Sequence, residues 1–257
     1  MTPLPPGARQ QPSPRLSGRS LLALVAVAGL VATLLLAACR GDGTPAATTT
    51  AGPSTPTVSP EQALLQQVTL RAEDLPPSLS QVDASASTNE DVAAGEANPE
   101  EELAQLESWG RLLGYEVNFV QAEAAAAADI VALSSAASLY ETPDGASASF
   151  ADAARKARDT DWPASYPDLV DPTVTQLERP GLADEVIWVR ISGVQSAEDG
   201  RLFTEDFVVM RRDRVRGFLR AVFLTDPAGD GATIQETEDL VAIQVQRIDA
   251  ALQESSP

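Results

Sequence analysis

Histidine is absent from the 257 residues, and cysteine occurs once. A single cysteine closes no intramolecular disulfide, so the core must hold by packing alone. Without imidazole there is no Ser-His-Asp or Cys-His catalysis, no histidine metal ligand and no ordinary protonation switch near neutral pH. Positive charge is also scarce: 18 Lys and Arg stand against 37 Asp and Glu, for a formal charge of -19. That balance repels phosphates over most of the surface, so no nucleic-acid partner is expected. Lys156 is the only lysine, which reads as a genomic composition bias rather than chemistry. No motif implies a cofactor.

What is present begins with an address. Arg9, Arg15 and Arg19 are the only charges before an uncharged run from Leu21 to Ala38, which ends at the sole cysteine, Cys39. Leu36, Ala37 and Ala38 precede that cysteine directly. A basic start, an apolar run and small residues before a cleavage point describe a processed export signal. The segment resembles the signal peptides of bacterial lipoproteins. The resemblance implies lipidation of the Cys39 sulfur and cleavage before it, so that 1-38 is a signal peptide and Cys39 the first mature residue. The plainer alternative is an uncleaved membrane helix, since the run is just long enough to span. Either way, arginines before the run keep that end inside and place the rest outside the cytoplasm. Two acyl chains on one residue anchor stably, whereas one does not.

Removing 1-38 takes away three arginines and no acid, leaving 15 basic against 37 acidic side chains, a charge of -22. Anionic headgroups repel such a domain, so the lipid must supply its membrane affinity. Residues 39-60 hold the cysteine, Arg40 and Asp42 and otherwise Thr, Pro, Ala, Gly and Ser, with Val58 the only larger apolar side chain. This stretch buries no core and is expected to be a disordered stalk. As a flexible coil it averages roughly 25 Å end to end. Ser59, Pro60 and Gln62 carry the signature of a helix start. Residues 61-257 then form one domain, interrupted by an acidic stretch over 81-97 expected to be a mobile surface loop.

Helices are expected around Ala63-Val68, from Asn98 and Pro99 to a closing Gly114, from Thr142 and Pro143 through Ala157, and over Thr233-Leu252. Strands are expected at Tyr115-Val120, Ile130-Tyr140, Val174-Leu177 and Glu185-Ile191, with a hairpin of Phe203-Met210 and Val215-Leu224. The order predicts a single α+β domain: an antiparallel sheet covered by helices on at least one face. Leu70-Pro77 (LRAEDLPP), Leu139-Ala146 (LYETPDGA) and Gly181-Val186 (GLADEV) resemble pieces of the secreted sensor domains of the PknH-type or PsbP-like group. That resemblance implies a ligand-sensing or binding module and transfers no catalytic residue.

Arg211, Arg212, Arg214, Arg216 and Arg220 are the only concentrated positive charge. A turn centred on Arg212 and Asp213 pairs Phe207 with Phe218 and Glu205 with Arg220. Arg214, Arg216, Phe218 and Arg220 then share a face, because strand side chains alternate. Arg214, Arg216 and Arg220 are the candidate anion-contact stripe, since guanidinium forks grip carboxylate or phosphate. The plainer reading pairs these arginines with the protein's own carboxylates, and it weighs more. Asp226-Gly231 is a poor calcium loop, because Ala228 and Thr237 occupy positions that need oxygen ligands. No metal site is expected. No spacing isolates two carboxylates for acid and base catalysis. Trp188, alternating with Ile187 and Val189, packs either on an exposed face or against a covering helix.

These readings converge on a lipid-anchored extracytoplasmic module that binds something at the cell surface, a ligand or a protein partner, and is not an enzyme. A carrier of a lipid or other hydrophobic ligand is one alternative, and a carboxylate-dependent envelope hydrolase is another.

Overall fold

The computed structural model describes residues 58-122, 130-196, 200-226 and 234-254. The segment expected to be an export signal, with Leu36 to Cys39, the stretch expected to be a stalk up to residue 57, and most of the Asp226-Gly231 stretch lie outside them.

Two antiparallel meanders make one seven-stranded sheet. The first runs through β1 (Leu79–Ser87), β2 (Arg111–Gln121) and β3 (Ile130–Tyr140). The second runs through β4 (Leu169–Leu177), β5 (Glu185–Gln195), β6 (Leu202–Arg212) and β7 (Val215–Thr225). They join where β7 pairs with β3, giving the order β1-β2-β3-β7-β6-β5-β4. Among the described residues six α-helices accompany the sheet, α1 (Pro60–Val68), α2 (Asn89–Ala94), α3 (Pro99–Ser108), α4 (Pro143–Asp159), α5 (Trp162–Ser165) and α6 (Ile234–Glu254), with one turn of 3-10 helix at Ala72–Asp74.

Local chemistry sets the helix starts. The Ser59 hydroxyl accepts from the Gln62 N–H at 3.2 Å, with Pro60 at the first helical position. Thr142 caps α4 in the same way, accepting from the Gly145 N–H at 3.1 Å ahead of Pro143. Asn98 precedes α3 without a side-chain cap bond, so Pro99 and the acidic first turn Glu100-Glu102 mark that start. The helix closes at Gly110, with φ +64°, and not at Gly114, which lies within β2.

The acidic stretch over 81-97 is not a loop. It is strand to Ser87, paired with β2, and then the short helix α2 capped by Thr88. β1 is an edge strand whose side chains are mostly exposed, so polar residues suit it. Low apolar content hid a strand whose partner supplies the backbone bonds.

Helices cover both faces of the sheet. Towards α1 and α6 point Leu133, Val117, Phe119, Trp188, Val208, Met210, Leu219 and Phe223, which meet Leu240, Val241 and Val245 of α6 in the main core. Leu65 and Val68 of α1 meet Ala137, Leu139, Val215 and Ile248 beside it. The other face carries Phe150 and Ala154 of α4, and Trp162 of α5 packs on Phe207 with ring centroids 4.9 Å apart. Trp188 is fully buried against a covering helix.

Candidate functional site

The β6–β7 hairpin differs from the expected one by two residues. Arg212 pairs with Val215, Phe207 with Arg220 and Val209 with Phe218. The two-residue turn is therefore Asp213 and Arg214, and Asp213 takes φ +52° there, a conformation that aspartate tolerates better than most side chains. A shift of two keeps every side chain on its face. Arg216, Phe218 and Arg220 stay together on the α4 face, and Arg214 leaves the row for the turn.

The protein's own groups engage most of these guanidiniums. Arg220 Nε bonds Glu205 Oε1, and its guanidinium lies 5.7 Å from the Phe207 ring centroid. Tyr166 Oη donates to the second Glu205 oxygen at 2.7 Å. Burial and the adjacent Glu205 carboxylate push the Tyr166 hydroxyl above the ordinary tyrosine range. Arg211 pairs with Glu185 and with Asp184, while Arg212 donates to Asp184 at 2.7 Å and Asp249 at 2.6 Å. Arg216 meets no carboxylate among the described residues. Its Nη1 donates to Ser149 Oγ at 2.5 Å and to the Ser149 carbonyl at 3.4 Å.

On the opposite face, sequence reasoning missed a second charged centre. Asp206 is fully buried. Arg190 grips it through Nε at 2.7 Å and Nη2 at 2.6 Å, Trp188 Nε1 donates at 2.8 Å, and Thr237 of α6 adds its hydroxyl. Arg190 stands directly across the β5–β6 ladder from Asp206. The signal was an aspartate amid strand residues of β6, but only the strand pairing names its partner.

A third cationic group enters from β2. Arg111 is 6% exposed. Its Nε donates to Ser138 Oγ at 3.2 Å, Nη1 to the Ser87 carbonyl and Asn89 Oδ1, and Nη2 to Ser87 Oγ. Burial lowers its affinity for the proton, and Arg216 acts in the same direction. Gly114 leaves room for this guanidinium, because a Cβ there would lie 2.1 Å from Nη2.

Two open clefts occur among the described residues, and of these arginines only Arg190 lines one of them. One, of about 350 Å³, is lined by Glu107, Trp109, Glu141, Asp144 and Gly145 at the start of α4. The other, of about 300 Å³, lies over β4–β5–β6 among Val170, Thr173, Arg190, Ser192, Phe203 and Thr204. Among the described residues no cluster of three acidic side chains is placed to hold a metal ion.

No family model matches this chain, and no curated protein matches it. Its structure is similar to the extracellular domain of PknH from Mycobacterium tuberculosis, at 12% identity and a TM-score of 0.47, over 77% of this chain and 98% of that one. It is also similar to an uncharacterised protein of Mycobacterium smegmatis, at 13% identity and a TM-score of 0.34, over 68% and 92% of the two chains.

Proposed function

We propose that the chain is a lipid-anchored extracytoplasmic binding module without catalytic activity. The observation that carries the reading is the coincidence at Cys39: the sole cysteine follows a basic start, an uncharged run and the residues Leu36, Ala37 and Ala38. Lipidation there, with the stalk that follows, holds a repelled acidic domain at the membrane and clear of its headgroups.

The two most buried carboxylates among the described residues do not form an acid–base pair. Glu205 and Asp206 follow one another in β6, so they point to opposite faces. Each is engaged by an arginine, Arg220 and Arg190 respectively. A general acid and base must face one substrate, and this pair faces two different helices.

Cys39→Ala tests the reading in the exporting cell. Loss of the protein from the membrane fraction, or accumulation of uncleaved precursor, is the expected result. Full membrane retention with normal cleavage overturns it.

A further inference from the structure

Two guanidiniums on the α4 face, Arg111 and Arg216, have no carboxylate within 4.0 Å among the described residues, whereas Arg211 and Arg220 beside them do. Acid is not in short supply in a chain with 37 carboxylates. Both unpaired groups border one residue. Arg111 Nε donates to Ser138 Oγ, and Ser138 is the Cα partner of Arg216 across β3 and β7.

Arg111 is buried on neutral acceptors only: two serine hydroxyls, one backbone carbonyl and one amide oxygen. Of the two groups that favour its charge, Tyr140 already shares a hydrogen bond with Ser149 Oγ, and Asp91 is held by the Thr88 N–H and hydroxyl at the start of α2. Keeping a cation out of water without a counter-charge is costly, and an anion close by removes much of that cost. Arg216, half-buried, engages only Nη1, so Nε and Nη2 meet no acceptor among the described residues. These two nitrogens form the edge of the fork that binds carboxylate or phosphate in bidentate fashion. Ser138 accepts from Arg111 and retains its own hydroxyl proton for donation.

We propose that Arg216, backed by Arg111 and the Ser138 hydroxyl, is an oxyanion site that takes a carboxylate or phosphate group of the ligand. The proposal rests on the reading of the domain as a binding module and names the chemical class it recognises. It also gives a role to Gly114, whose missing side chain admits the second cation.

The test is thermal unfolding of the full chain in detergent, with sodium phosphate or sodium glucuronate replacing chloride at constant ionic strength. The expected result is a saturable rise of several degrees in the midpoint with one or both anions. Arg216→Gln should abolish the rise, and Arg214→Gln, in the neighbouring turn, should retain it. A response to phosphate alone or to glucuronate alone identifies the preferred group. Absence of a saturable rise with both anions, or an equal rise in Arg216→Gln, overturns the site. If Arg216→Gln unfolds, Arg216→Lys serves instead, with affinity expected to fall about tenfold or more as the fork is lost. Membrane release by Cys39→Ala is independent of anion binding, so the two readings fail separately.

Discussion

Glu205 and Asp206 are neighbours in the chain and are held on opposite sides of the sheet, Glu205 by Arg220 under α4 and α5 and Asp206 by Arg190 under α6. The strand thus carries one charged lock to each covering layer. The two locks differ in depth: the Arg190 side chain is 12% exposed and that of Arg220 24%.

The depth difference sets an order of stability. Asp206→Ala removes the buried carboxylate that holds the Arg190 guanidinium and the Trp188 indole, and should cost about 3–5 kcal/mol. Glu205→Ala leaves Arg220 nearer to solvent and should cost less, about 1–3 kcal/mol. Urea unfolding of both variants checks the order. Equal losses would mean that solvent reaches Arg190 as readily as Arg220.

Glycine substitutions separate a movable obstacle from a fixed one. A Cβ on Gly114 would meet Arg111 Nη2 at 2.1 Å and Ser87 Oγ at 2.7 Å, both at the ends of side chains. A Cβ on Gly145 would lie 1.9 Å from the Trp109 carbonyl oxygen, which is backbone. Gly114→Ala should cost about 1–3 kcal/mol, and Gly145→Ala more. In an Arg111→Ala background the Gly114→Ala cost should largely vanish, which a double-mutant cycle reads directly.

The turn of the β6–β7 hairpin gives a dependence on acid. Burial acts to raise the Asp184 carboxyl, but the Asp213 N–H, the Arg212 hydrogen bond and the Arg211 and Arg212 charges outweigh it and hold it below the usual 3.8. A depressed carboxyl stabilises the fold above its unfolded value and loses that contribution as pH falls through its folded value. Stability should therefore decline below about pH 4, and Asp184→Asn should flatten that part of the curve. Midpoints of thermal unfolding against pH measure it. Parallel curves for the two proteins would show that Asp184 contributes nothing.

What the amino-acid sequence determined is what local geometry controls. Ser59 with Pro60 and Thr142 with Pro143 place two helix starts, because a cap needs only the next three residues. Alternation placed Arg216, Phe218 and Arg220 on one face even with the hairpin pairing two residues out, since a period of two is unchanged by a shift of two. The resting places of the charges were decided by tertiary structure. Ser149 reaches Arg216 from 67 residues away, Arg111 reaches Ser138 across 27, and Thr237 meets Asp206 across 31. The edge strand β1 was hidden for the same reason, as its hydrogen bonds come from β2 and its own side chains carry no apolar alternation. Pairings over such distances arise only when the two meanders join at β3 and β7, because strand register and helix docking bring together groups that no local spacing relates.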